Sequence, residues 1–213
     1  MSSKQSLYAM LFYLGSKLGS FCKVSFMIGS YAAFFSVANC LVPLTGAFCG
    51  MAGSTMLFGL ALCLRMVLHG ALSLSLLAQF VPGLCAGYYW ASRSALIRVF
   101  IPVVCMVLFM VHPVGGMVWI YAFYWLIPIA LYLFNTNHIF ATALGSTFTA
   151  HAVGSVIWLY TVPMDVAAWK LLIPIVFFER LVFAAGMVVM HKIISWGVNA
   201  VRAMHTKRVA SAT

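Results

Sequence analysis

The sequence predicts an all-α fold: a polytopic transmembrane helix bundle of six to eight membrane helices. Three observations carry that prediction. Hydrophobic residues make up 65% of the 213-residue chain and charged residues only 7%, against roughly 25% charged in soluble domains. Mean hydropathy is +1.09, and a chain of this size has too little interior to hide so much apolar surface from water. The apolar residues also run in long continuous stretches, whereas a membrane β-barrel would alternate them in short strands.

A helix needs about 20 apolar residues to cross a bilayer. Residues 1–23 hold only an eight-residue apolar stretch before Gly15 and Lys17 and no convincing cleavage site. They read as a short or interfacial helix over 7–20, not as a removed signal peptide. Spans follow near 24–42, 46–68, 71–90, 97–112, 117–134, 139–160 and 169–194. Their limits fall at breaking chemistry: Pro43, His69–Gly70, the Ser-Arg-Ser run 92–94, His112–Gly116, the Asn-Thr-Asn run 135–137, and Thr161–Asp165. No linker interrupts 24–194, which forms one transmembrane domain, and 195–213 is a basic tail.

Lys192, Arg202, Lys207 and Arg208 mark the C-terminal tail as cytoplasmic. Counting back puts the 135–137 turn and the loop bearing Arg93 and Arg98 inside, and the His112 and Thr161–Asp165 turns outside. Seven spans would leave Lys4, Lys17 and Lys23 outside; six or eight would bring them inside, and the parity stays open. The expected location is the bacterial inner (cytoplasmic) membrane, multi-pass, with lipid around it. The net charge of +10 sits at helix ends and in the tail, so no nucleic acid partner is expected. The six cysteines lie in apolar runs without a CxxC pair and read as small hydrophobes, giving neither a disulfide nor a metal site.

One pattern is written twice: HPVGGMVWIY from His112 to Tyr121, and HAVGSVIWLY from His151 to Tyr160. Five of ten positions are identical, and each copy is followed by a Trp and then LIPI (Trp125 with Leu126–Ile129; Trp169 with Leu172–Ile175). On a helix, residues spaced three, four and seven apart share one face. His112, Gly115, Gly116 and Trp119 fit that spacing, as do His151, Gly154, Ser155 and Trp158. At 1.5 Å per residue, Trp119 lies about 10 Å below His112, His151 about 14 Å below Tyr160, and Glu179 about 15 Å below Trp169. Three helices thus bring Trp119, His151 and Glu179 to one level of the outer leaflet.

Glu179, the sole Glu, stands beside Arg180 in mid-span. Ionisable groups at that depth are costly and functional by default. Neighbours on a helix point about 100° apart, so the two are not expected simply to neutralise each other. At least one should face a cavity, a ligand, or a histidine such as His151 or His112. The candidate ligand-binding residues are therefore His112, Trp119, His151, Ser155, Trp158, Glu179 and Arg180. Each type also has a structural use: Gly and Ser let helices approach, and Trp and Tyr anchor interfaces. The anchor role is assigned to Tyr88, Tyr89, Trp90 and Trp196, and His69, His191 and His205 are read as solvated.

Enzymatic signatures are missing: no phosphate-binding glycine loop, no HExxH, no Asp-rich metal motif. With two acidic residues in the chain, the protein is read as a non-enzyme with no resident cofactor or metal. Capture of a small, planar, partly polar metabolite from the outer side fits the aromatic, imidazole and charged residues gathered at one level. The stretch VPLTGAFCG from Val42 to Gly50, together with size and hydrophobicity, resembles the S components of energy-coupling factor transporters, whose biotin-binding members carry a similar VP-T stretch. The resemblance implies a vitamin-binding membrane subunit working with a transmembrane coupling subunit and ATPases. The alternatives are a membrane redox or haem protein, for which His112 and His151 lie about 14 Å apart in depth, and a structural subunit of a membrane complex.

Overall fold

The computed structural model describes residues 15, 23–26, 34–36, 38–69 and 74–210. Apart from Gly15, the expected helix over 7–20 lies outside the described residues. Where the sequence suggests a first span near 24–42, Lys23–Phe26 (β1) pairs antiparallel with Phe34–Ser36 (β2). Val24, Phe26, Phe34 and Phe35 are residue types that favour extended backbone.

The rest of the described chain is helices and the turns that join them. Helix α1 (Ala38–His69) is broken at Gly50, whose φ of 70° lies in the left-handed region that glycine enters without steric cost. The chain reverses there. Before the break, Val42 packs on Gly83 and Gly46 on Gly87 of α2 (Leu74–Ala91), in the same order along both helices. After it, Thr55 Oγ1 meets Tyr88 OH at 2.7 Å and Phe58 packs edge-on to Phe80, in the opposite order. Thr45 Oγ1 and Ser54 Oγ, which a straight helix would hold about 13 Å apart, meet at 3.0 Å across the fold. The VPLTGAFCG stretch is thus the incoming arm of a helical hairpin.

A π-helical turn (Leu96–Phe100) leads into α3 (Ile101–Val111). Helix α4 (Pro113–Met117) stops at Val118, and a 3-10 segment (Trp119–Trp125) continues into α5 (Leu126–Leu133). Asn135, with φ of 48°, turns the chain into α6 (Ile139–Thr161), and α7 (Val166–Ala210) follows. Helix α6 is the hub, packed against α2, α3, α5 and α7. Its small and hydroxyl-bearing residues make close approach possible: Gly145 lies against the Tyr89 ring, and Ser146 Oγ donates to the Ala86 carbonyl at 2.9 Å.

Among the described residues, three helical stretches have the length and composition to cross a membrane, against the six to eight expected: Asn39–Val67, Ile139–Thr161 and Val166–Ala200; the fold-back at Gly50 divides the first of them into two arms. Two shorter apolar helical stretches, Leu96–Val111 and Trp119–Leu133, accompany them. The span expected near 117–134 is divided by its 3-10 stretch. The region from 195 onward, read as a tail, continues α7 to Ala210; basic residues at a helix C-terminus favour that extension electrostatically. Tyr89, read as an interfacial anchor, is fully buried.

Candidate functional site

The two copies of the repeated pattern fold differently and then meet. The second lies wholly within α6. The first does not form one helix: His112 is extended, α4 lasts five residues, and Val118 (φ −126°, ψ 32°) separates it from the 3-10 segment. The seven-residue spacing from His112 therefore does not place Trp119 on a continuous helical face. Trp119 points outward, 48% exposed, edge-on to Phe123, and leaves the proposed ligand-binding set for this reason.

Each histidine instead packs on the tyrosine that ends the other copy. The His112 and Tyr160 rings lie 4.9 Å apart, and those of His151 and Tyr121 lie 5.4 Å apart. Tyr160 OH also donates to the Leu108 carbonyl at 2.8 Å, and Gly115 approaches the Phe109 carbonyl and Leu159 so closely that a Cβ would not fit. The two copies thus exchange one His–Tyr ring contact in each direction, as antiparallel segments do. His112 has a local duty as well: its Nδ1 caps α4 by accepting from Val114 N at 3.2 Å. Trp158 is partly buried and donates from Nε1 to Met164 Sδ at 2.9 Å.

The deeper exchange forms the candidate site. Ser155 Oγ stands 3.4 Å from Tyr121 OH and 3.4 Å from His151 Nε2, giving a Tyr-Ser-His chain between the 3-10 segment and α6. Phe109, Trp125 and Trp169 close a box around Tyr121, with ring centroids of 5.3 Å for Phe109–Trp125 and Phe109–Trp169 and 5.1 Å for Tyr121–Trp169. The Nε1 atoms of Trp125 and Trp169 are both buried, with no hydrogen-bond partner among the described residues. An unsatisfied buried donor costs about 1–3 kcal/mol, so two in one box call for an explanation.

Glu179 and Arg180 lie beside this box. Their side chains meet after all, with Arg180 Nη2 3.5 Å from Glu179 Oε2. The expectation that neighbours on a helix point apart overlooked side-chain length: the long Arg side chain bends back around the helix to reach the carboxylate. Arg180 Nη1 donates to Thr147 Oγ1 at 3.4 Å, its guanidinium sits 4.8 Å over Phe183, and its charge bears on both His151 and Tyr121. Asp165 is a helix cap: its Oδ1 accepts from Ala168 N at 2.8 Å at the start of α7.

Thus His151, Ser155, Glu179 and Arg180 come together, Trp158 packs against the hydrophobic cluster that holds the box, and His112 and Trp119 lie elsewhere. Sequence reasoning missed Phe109, Tyr121, Trp125, Thr147 and Trp169. A signal existed for three of them. Tyr121 closes the first copy, and Trp125 and Trp169 are the tryptophans that follow each copy before LIPI. No family model, curated protein or solved structure matches the chain.

Proposed function

We propose that the chain is a multi-pass protein of the bacterial cytoplasmic membrane that captures a small, planar, acceptor-bearing metabolite from the outer side and passes it inward. It would do so without an ATPase of its own and not as an enzyme. The observation that carries this reading is the pair of buried indole N–H groups of Trp125 and Trp169, without a hydrogen-bond partner among the described residues, in a box that also holds Tyr121 and His151. A flat ligand with carbonyl, carboxylate or ring-nitrogen acceptors would satisfy both donors while stacking on the rings. Arg180, held by Glu179, supplies the nearby positive charge. In this conformation the rings fill the box, so entry requires the 3-10 wall bearing Tyr121 and Trp125 to part from α6. The break at Val118 provides a place for that movement.

Further membrane passes beyond the three long helices, a cytoplasmic C-terminus, and a coupling subunit with ATPases belong to the same proposal. They rest on the charge distribution and on the resemblance of Val42–Gly50 to the energy-coupling factor S components. The test is a thermal-shift screen of the purified protein against vitamins, nucleobases and aromatic acids. A compound that stabilises the parent chain but not Trp125→Phe, which keeps the ring and removes the N–H, supports the reading. If every stabilising compound acts equally on both proteins, the box is not the binding site.

A further inference from the structure

We propose that a second pocket, at the opposite end of α6 from the His112–Tyr160 contact, binds a phosphate-bearing anion. The pocket has a volume of about 390 Å3 and gathers Trp90, Arg93, Arg98, Asn137, Thr142 and His191 from the end of α2, the loop after it, the π-helical turn, the turn before α6, the first turn of α6, and α7. It is separate from the aromatic box, and its test does not depend on the transport reading.

Charge is the first reason. The chain holds two acidic residues. Asp165 caps the start of α7 and Glu179 is paired with Arg180, about 39 Å and 18 Å of helical rise from His191. Neither lines the pocket, so among the described residues no carboxylate stands between its two guanidinium groups. Arg98 is only 5% exposed. Its Nε donates to the Ser92 carbonyl at 3.0 Å and its Nη2 to the Tyr89 carbonyl at 2.9 Å, and it lies 4.3 Å over the Tyr89 ring. Those carbonyls, at the C-terminal end of α2, satisfy its hydrogen bonds but carry only partial charge. A buried cation with no full counterion is costly to hold. Arg93, five residues away, is exposed and repels it.

Preorganisation is the second. His191 is half-buried, not solvated as its position near a segment end suggests. It lies between Phe48, 5.0 Å away, and Trp90, 5.5 Å away and nearly parallel. Trp90 lines the pocket beside Asn137 and Thr142, whose side chains are neutral donors. A concave, donor-rich, acid-free site with two guanidinium groups suits an anion that offers several oxygens at once. The volume leaves room for the ester group that the phosphate carries. That ester is either a lipid headgroup or a soluble phosphate, and the chemistry is shared.

The experiment separates the two. The purified chain in a neutral detergent is titrated with inorganic phosphate against chloride at matched ionic strength, and separately with phosphatidylglycerol against a neutral glycolipid. Binding is read by thermal shift and native mass spectrometry. Stabilisation by phosphate over chloride assigns a soluble ligand; stabilisation by phosphatidylglycerol alone assigns a lipid headgroup. Arg93→Gln, on an exposed side chain, should weaken the effective probe by about tenfold or more, as expected for one charge-assisted hydrogen bond. Arg65→Gln removes the same charge from outside the pocket and should leave binding unchanged. The proposal is overturned if neither probe binds, if Arg93→Gln binds like the parent chain, or if both variants weaken binding equally.

Discussion

Replacing Glu179 with Gln keeps the shape of the side chain and removes its charge. At the observed 3.5 Å, the attraction between the two side chains is about 5 kcal/mol at an effective dielectric of about 20. Desolvation of the carboxylate offsets part of this, and the Glu179 side chain is 18% exposed, which screens it further. The net loss should therefore fall to about 2–3 kcal/mol, below the roughly 3–5 kcal/mol seen when a fully buried pair is broken. For a chain of this size that is a fall in Tm of about 4–12 °C. The assay is thermal unfolding of Glu179→Gln, Arg180→Gln and the double variant in one detergent. Because each single change strands a charge, the double variant should be less damaged than the two singles added together, by about 1 kcal/mol or more. A Tm for Glu179→Gln within about 2 °C of the parent, or strict additivity, would refute the ion pair as a structural element. Uptake adds a second readout: if Arg180 serves the ligand, Glu179→Gln should lose transport even below its own Tm.

Gly46→Ala would set a Cβ against the Gly87 backbone carbonyl. Because backbone cannot swing aside as a side chain does, the cost should reach or exceed the about 1–3 kcal/mol of ordinary overpacking; a variant with unchanged yield and Tm would contradict the close α1–α2 approach. Trp125→Ala should lose about 3–5 kcal/mol while Trp119→Ala, on an exposed ring, stays near the parent, and comparable losses in thermal unfolding would mean that Trp119 is packed inside. A cysteine placed near residue 210, in a background without native cysteines, should resist an impermeant thiol reagent in intact cells; ready labelling would invert the proposed orientation.

Composition by itself determined the medium, because 65% hydrophobic residues cannot be buried in a water-soluble domain of this length. Local chemistry also delimited some elements. The sequence suggests a helix over 139–160, and α6 runs Ile139–Thr161, bounded by the Asn135 turn and by Val162. Such boundaries are legible because turn and cap chemistry acts within a few residues. Counting helical rise set Trp119, His151 and Glu179 at one level; the structure brings the Glu179–Arg180 pair near His151 and turns Trp119 outward. Which side chains meet was not open to counting. The repeated pattern reads as the same helical face twice, yet tertiary packing made one copy helical and broke the other at Val118, turning Trp119 outward and Tyr121 inward. The reversal at Gly50 was hidden for a related reason. A single glycine in an apolar run is compatible with a straight helix, and only the fit of Gly46 against Gly87 and of Thr45 against Ser54 decides that the chain folds back. Contacts between residues distant in sequence depend on relative helix placement, which no local periodicity encodes.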